Sequence, residues 1–302
     1  MRFTRVLALG ASALVLLSAC STGGGSKPTV KVGSDGFYEA KLMAEIYGQA
    51  LEAGGYTVDR TGIGIGARKV SAPALESGQI DLKPEYIGSG LAFYEPGKQT
   101  GDPAANATAL QAVLTAKGGG ITVLTYSPAA DQNAFVVRKD TAAQFNLAKL
   151  SDTTAVQDQL KWGLATDCKT NAVCAAALKS AYGLDPKNIT PLAACDTPMA
   201  QALVNKTIDV AELCSTQPDI AVNGFVVLSD DKQTQPADNL APLVRNDLLA
   251  KVDKTSFEKI LNDVSAKMDT ATLTDLGKQI TVDKKDIAAV AKAWLQSAGL
   301  VK

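Results

Sequence analysis

The absence of histidine restricts the chemistry available to this protein. The chain has 302 residues, and none of them is histidine. This excludes Ser–His and Cys–His catalytic pairs and every histidine-ligated metal site. The sequence also lacks a GxSxG nucleophile motif. We therefore predict no catalytic residues, no metal and no cofactor, and a protein that is not an enzyme.

The chain also has almost no net charge and few aromatic residues. The 30 basic residues are balanced by 31 acidic ones, so there is no basic excess to neutralise nucleic-acid phosphates. Aromatic residues make up only 5% of the chain, so an aromatic residue near a predicted pocket is stronger evidence for a role in ligand binding. The hydrophobic fraction of 46% is typical of a globular protein with a sizeable core, in one large domain or two lobes.

Long hydrophobic runs are confined to the N-terminus. Arg2 and Arg5 precede an apolar run over residues 6–17, which has the length of a signal-peptide core and is short for a membrane span. The sequence LSAC ending at Cys20 resembles the bacterial lipobox, in which the cysteine thiol is lipidated after cleavage. We predict a signal peptide over 1–19, a lipidated linker over 20–28 and anchoring on the extracytoplasmic face of the cell membrane. An ordinary secretory signal is the alternative.

The other four cysteines are Cys168, Cys174, Cys195 and Cys214. An even number in an oxidising compartment indicates two disulfides, and three pairings are open. Short spacing favours Cys168–Cys174, which leaves Cys195–Cys214. A zinc site is disfavoured because the close CxxC spacing is missing.

Alternating strand and helix patterns predict an α/β fold with two lobes. The segment from 29 to 82 follows βαβαβ order, which implies a parallel sheet with helices on both faces. We predict that the first lobe comprises residues 29–126 and 226–302, and that the second comprises residues 133–222.

An internal similarity relates the two predicted lobes. Residues 74–82 (ALESGQIDL) match residues 202–210 (ALVNKTIDV) at a constant offset of 128. Both segments indicate the end of a helix, a turn and a short strand. At the same offset Tyr86 corresponds to Cys214. Because ligands bind beyond the carboxyl ends of strands in open parallel sheets, both residues are predicted to face one cleft.

Several segments resemble one family, the substrate-binding lipoproteins of osmoprotectant ABC importers, which take glycine betaine, choline, carnitine or proline betaine. The matching residues are Glu39 and the segments 32–37 (VGSDGF), 44–47 (AEIY), 62–66 (GIGIG), 80–82 (IDL), 84–88 (PEYIG), 226–231 (VVLSDD) and 241–245 (APLVR). The resemblance implies two α/β lobes joined by a two-strand hinge, a solute held between them, and a membrane permease as partner. It gives no reason to expect nucleic-acid binding, and we expect a monomer.

The resemblance and the residues together predict the ligand site. Tyr86 matches the family's cleft tyrosine, whose ring attracts a quaternary ammonium group by cation–π interaction. Arg68 is predicted to bind a ligand carboxylate, with a solvated surface arginine as the alternative. The family usually has an aromatic residue where this chain has Cys214, which puts the specificity for betaine or choline in doubt. The predicted ligand-binding residues are Ser34, Asp35, Phe37, Gly64, Gly66, Arg68, Tyr86, Ser127, Asn133, Cys214, Ser215 and Thr216.

Some of these residues have simpler interpretations. Ser34 and Asp35 are equally typical of a helix cap, and Asn133 of a hinge hydrogen bond. Glu85 is interpreted as a turn residue with charge facing the permease. Two further functions stay open: the same architecture binding an amino acid, a sugar or an aromatic or polyphenol compound, and an extracellular enzyme, which the missing histidine disfavours.

Overall fold

The structure is a computed structural model, and it describes residues 27–118 and 120–302. The predicted signal peptide and the predicted lipidation site Cys20 lie outside the described residues. Within the described ranges, no helix combines the length and the apolar character needed to cross a membrane.

Two five-stranded sheets define two lobes, which confirms the predicted α/β architecture. The first sheet contains β1 (Thr29–Asp35), β2 (Thr57–Gly66), β3 (Leu82–Tyr86), β4 (Ile121–Val123) and β10 (Leu240–Arg245). The second contains β5 (Asn133–Val137), β6 (Trp162–Ala165), β7 (Ile189–Leu192), β8 (Val210–Cys214) and β9 (Val226–Val227). The strand orders are β2-β1-β3-β10-β4 and β7-β6-β8-β5-β9.

Helices cover the faces of both sheets. In the first lobe they are α1 (Tyr38–Ala53), α2 (Arg68–Ser77), α3 (Ile87–Tyr94), α4 (Pro103–Ala116), α9 (Asn246–Leu249), α10 (Lys254–Lys267), α11 (Thr270–Thr281) and α12 (Ile287–Ser297). In the second they are α5 (Lys139–Phe145), α6 (Ala177–Tyr182), α7 (Thr197–Val204) and α8 (Asp219–Asn223). Short helical turns also occur at Leu150–Val156, Cys168–Thr170 and Ala172–Ala176.

The largest apolar cluster lies where the C-terminal helices meet α1. Phe257, Leu261 and Val264 recur on one side of α10, as helical periodicity requires, and all three are fully buried. They join Leu42 and Ile46 of α1 in one core. The chain therefore returns to the first lobe to complete its core.

The two sheets share one topology. The middle strand of each is the predicted equivalent pair, β3 over residues 82–86 and β8 over residues 210–214. Each middle strand pairs in parallel with one neighbour, β1 or β6, and antiparallel with the other, β10 or β5. The internal similarity at an offset of 128 thus corresponds to equivalent positions in two related sheets.

Two chain segments, one around residue 130 and the other around residue 239, connect the lobes and pair with each other. Ala130 and Asn239 form an antiparallel bridge, and the Asp131 N–H donates to the Asp238 carbonyl at 3.1 Å. The predicted return to the first lobe at residue 226 is wrong, because Val226 and Val227 pair with β5 in the second sheet. A short pair of β-branched residues fits the edge of either sheet, so its partner is decided only by tertiary packing.

Candidate functional site

A cleft with a volume of about 320 Å³ lies between the two lobes. The first lobe contributes the ends of β1, β2 and β3, and the second contributes the ends of β5, β6 and β8. Parallel strands of both sheets thus direct their carboxyl ends toward one space, where open α/β sheets bind ligands. The size is within the range of pockets that enclose a small molecule.

Seven of the twelve predicted ligand-binding residues line this cleft. They are Asp35, Phe37, Gly66, Arg68, Tyr86, Asn133 and Cys214. The other five do not line the cleft but form hydrogen bonds with residues near it: Ser34, Gly64, Ser127, Ser215 and Thr216. Ser34 Oγ accepts from the Gly64 N–H at 2.9 Å, and Ser127 Oγ donates to the Ala129 carbonyl at 3.1 Å near the lobe crossing.

Two aromatic rings form one wall of the cleft. Tyr86 ends β3 and is 5% exposed, while Phe37 precedes the first turn of α1. Their ring centroids are 5.8 Å apart, and the ring planes are tilted by 35°. The Tyr86 hydroxyl donates to Glu39 Oε1, which fixes the position of the ring. Two neighbouring rings, one after β1 and one at the end of β3, thus line the first-lobe side of the cleft.

The opposite lobe contributes a disulfide to the lining. Cys195 and Cys214 are bonded and both line the cleft, and Cys168 is bonded to Cys174. The two pairs are those favoured by the sequence. Cys214 lies at the end of β8, directly opposite Asn133 in the register of β5 and β8. A compact disulfide thus occupies the place that corresponds to Tyr86 in the first lobe.

A buried ion network supports the first-lobe side. Lys83 is fully buried and donates to Asp35 Oδ1 at 3.0 Å and to Glu85 Oε2 at 2.9 Å. Arg68 donates to Glu85 Oε1 at 2.9 Å and to Ser89 Oγ at 2.7 Å. Arg68 therefore binds a carboxylate of the protein itself. The interpretation of Glu85 as a surface charge facing the permease is wrong, because its side chain is 2% exposed and lies between two cations.

The charge of the lining is mainly negative. Among the lining residues that the structure describes, six are acidic (Asp35, Asp131, Asp167, Asp196, Glu212 and Asp238), and Arg68 is the one cation. Burial raises the pKa of Glu212 to about 7 and that of Asp238 to about 7, and in each case hydrogen bonds offset part of this rise. By contrast, Arg68 and Lys83 hold the pKa of Glu85 at about 2 despite its burial.

Five acidic residues of the cleft lining were not predicted as site residues: Asp131, Asp167, Asp196, Glu212 and Asp238. Glu39, which contacts Tyr86 behind the lining, was not predicted either. Glu39 is one of the residues that match the family, but nothing in the sequence shows that it contacts Tyr86 and Thr216. Asp238 accepts from the backbone N–H groups of Gly88 and Ser89 at 2.8 and 2.9 Å. Most of these residues could be recognised as part of the site only from the tertiary structure, because their hydrogen-bond partners are remote in the sequence.

The fold and the cleft define a two-lobed ligand-binding protein. Comparison with known proteins gives its family: residues 28–297 match the family described as the substrate-binding domain of the ABC-type glycine betaine transport system, OpuAC. The chain belongs to this family. It is therefore the solute-binding component of an ABC importer, which captures a solute outside the cytoplasm and delivers it to the permease.

Individual relatives span the whole domain. The glycine betaine-binding protein YehZ of Escherichia coli strain K12 is 30% identical, with 98% of this chain and 99% of that protein covered. The carnitine transport binding protein OpuCC of Listeria monocytogenes is 26% identical, with 93% and 92% covered.

Solved structures show the same fold. A glycine betaine/carnitine/choline ABC transporter structure has a TM-score of 0.68 at 23% identity, covering 90% of this chain and 99% of that chain. Ligand-free YehZ from E. coli has a TM-score of 0.63 at 26% identity, again covering 90% and 99%.

Proposed function

We propose that the cleft binds a small quaternary ammonium solute, such as glycine betaine, choline or carnitine. The paired rings of Tyr86 and Phe37 carry this proposal, because ring faces attract a trimethylammonium group by about 0.5–2 kcal/mol each. The acidic lining adds long-range attraction for a cation and opposes a purely anionic ligand. The names of the relatives, which refer to glycine betaine and carnitine, support the same class of solute.

The proposed contacts are the seven predicted residues that line the cleft. Arg68, the cation among the described lining residues, uses Nε and Nη2 to donate to Glu85 and Ser89. Because a guanidinium group carries five N–H donors, Arg68 is still the proposed partner for the carboxylate of a betaine or carnitine. Asn133 and Cys214 supply the facing wall from the second lobe. A solute that touches both walls stabilises the closed arrangement of the lobes, because only that arrangement makes both sets of contacts.

Titration calorimetry of the mature protein with glycine betaine, choline and carnitine tests this function. We expect saturable binding with one site per chain, and weaker binding by Tyr86→Ala. Phe93→Ala is the matched control, because Phe93 is an exposed aromatic residue on the same lobe outside the cleft lining. Binding of an amino acid, a sugar or a polyphenol in preference to all three ammonium compounds would contradict the proposal and favour another solute for the same architecture.

We also propose that a lipid on Cys20 anchors the protein, as a monomer, to the extracytoplasmic face of the cell membrane. The LSAC sequence and the preceding apolar run support this. Two acyl chains are sufficient for stable anchoring where one is marginal. We expect Cys20→Ala to release the protein from the membrane fraction or to block its processing. Unchanged partitioning of the variant into a detergent phase would contradict lipidation.

A further inference from the structure

Glu39 joins the aromatic wall of the cleft to the opposite lobe. It lies in the first turn of α1 and is 1% exposed. One carboxyl oxygen accepts from the Tyr86 hydroxyl, and the other accepts from Thr216 Oγ1 at 2.6 Å. Thr216 follows β8 in the second lobe and is fully buried. A single carboxyl group therefore contacts the proposed ligand ring and both lobes.

Asp131 is bound to the same threonine. Its Oδ1 accepts from the Thr216 backbone N–H at 3.0 Å and from Ser215 Oγ at 2.9 Å. Asp131 lies in the segment that crosses between the lobes, is 3% exposed and lines the cleft. Thr216 thus bridges two buried carboxyl groups, one behind the aromatic ring and one beside the ligand space.

Among the residues that the structure describes, the ionisable groups that act on Glu39 and on its partner tyrosines are acids. They are Tyr38 on its own helix, Tyr86 from β3, Asp131 from the crossing segment and, beyond Tyr38, Asp219 from α8. The cations of the cleft region are engaged elsewhere, Lys83 by Asp35 and Glu85 and Arg68 by Glu85. Burial, and then the charge of Asp131, raise the pKa of Glu39 to about 8, and burial raises the pKa of Asp131 to about 6.

A buried carboxylate pair without a cation is costly to ionise, and a proton or a bound cation relieves that cost. We propose that the Glu39–Asp131 pair senses the positive charge of the ligand: it holds a proton while the cleft is empty and releases that proton to solvent when a cation binds on the Tyr86 ring. Glu39 acts here as a positioning residue, since it orients Tyr86 and holds Thr216. This inference rests on the proposed function.

Two consequences follow for binding. A cation in the cleft favours the ionised carboxylate, and this strengthens the charge-assisted hydrogen bonds from Tyr86 and from Thr216 across the lobes. Closure is thereby coupled to the charge of the solute. Because one proton competes with the cation, affinity falls as pH decreases below about 8, by up to tenfold per pH unit.

The test is calorimetry with choline, which has no titratable group in this range. Titrations at pH 7 in buffers with different heats of ionisation measure the protons released per choline bound. We expect a release approaching one proton for the parent, and a markedly smaller release for Glu39→Gln, whose affinity also depends less on pH between 6 and 9. Any release that persists in the variant comes from the other acidic lining residues, such as Glu212 and Asp238, whose pKa values are about 7. Glu95→Gln is the matched control, because Glu95 is exposed and outside the cleft, and it keeps the release of the parent.

Two further measurements make the outcome decisive. The neutral carbon isostere of choline, with carbon in place of nitrogen, is expected to bind weakly and release no proton. Infrared difference spectra are expected to lose a protonated-carboxyl band when choline binds to the parent protein, which needs no variant to fold. Choline binding without proton release, or an unchanged release in Glu39→Gln, overturns this inference alone. Failure of choline, glycine betaine and carnitine to bind overturns the proposed function as well.

Discussion

Tyr86 and Cys214 occupy equivalent positions in the two lobes, each as the last residue of the middle strand of its sheet. Both line the cleft from opposite lobes. One position carries an aromatic ring hydrogen-bonded to Glu39, and the other carries a sulfur bonded to Cys195. The pseudo-symmetry of the fold therefore does not extend to the chemistry of the cleft, and the proposed recognition of a cation falls mainly to the first lobe.

Tyr86→Ala is expected to weaken binding of the preferred ammonium solute by about 1–3 kcal/mol, from lost apolar contact and lost cation–π attraction. Tyr86→Phe keeps the ring face but removes the hydrogen bond to Glu39, so it is expected to weaken binding less than the alanine variant does. Calorimetry measures both changes. Parent-like affinity of Tyr86→Ala would exclude the proposed site.

The sequence was sufficient to predict the topology of the middle strands, because local patterns repeat in both lobes. Residues 74–82 and 202–210 share their order of small, apolar and acidic residues, and both precede the middle strand of a sheet. The rings of the cleft were predictable on other grounds: Phe37 follows shortly after β1, and Tyr86, the last residue of β3, matches the cleft tyrosine of the family that the sequence resembles.

The electrostatic part of the site was not predictable in this way. Glu39 and Thr216 are separated by 177 residues, and Asp131 and Thr216 by 85. No local pattern indicates that these side chains meet, or that Lys83 is buried between Asp35 and Glu85. Such contacts depend on the packing of whole lobes, whereas helix and strand patterns depend on neighbours along the chain.

Lys83→Met is expected to destabilise the protein by about 3–5 kcal/mol, because it leaves two buried carboxylates without one of their cations. Lys259→Met is the matched control: Lys259 is 69% exposed and pairs with Asp263 on the surface of α10. An exposed pair of this kind contributes about 0–1 kcal/mol. Urea unfolding of the ligand-free variants measures both effects, and similar losses would argue against a structural role for the network.

Glu212 makes the stability of the free protein depend on pH. Its pKa is about 7 in the folded protein, because burial outweighs the hydrogen bond from the Ala165 N–H at 2.7 Å. In the unfolded chain the value is about 4.3. Between these two values the folded state binds more protons, so the free energy of unfolding decreases as pH rises from about 5 to 8, by up to about 3 kcal/mol from this residue.

Glu212→Gln is expected to remove that contribution and flatten the pH dependence, while Glu95→Gln at an exposed position leaves it unchanged. Burial also raises the pKa of Asp238 to about 7, so part of the dependence persists in the variant. Urea unfolding at several pH values measures the difference. A stability that increases from pH 5 to pH 8 in the parent would contradict this account.

Replacing the sulfur wall with a ring tests whether the second lobe limits cation recognition. Cys214→Phe also breaks the bond to Cys195, so the comparison is between Cys195→Ala/Cys214→Phe and Cys195→Ala/Cys214→Ala. Both are expected to lose about 3 kcal/mol of stability, since the disulfide closes a loop of 19 residues. The phenylalanine variant is expected to bind choline more tightly than the alanine variant by about 0.5–2 kcal/mol, because a further ring, from the second lobe, then meets the ammonium group. Calorimetry measures the affinities and urea unfolding measures the stabilities. Equal choline affinities in two folded variants would show that a ligand on the Tyr86 ring does not reach the end of β8.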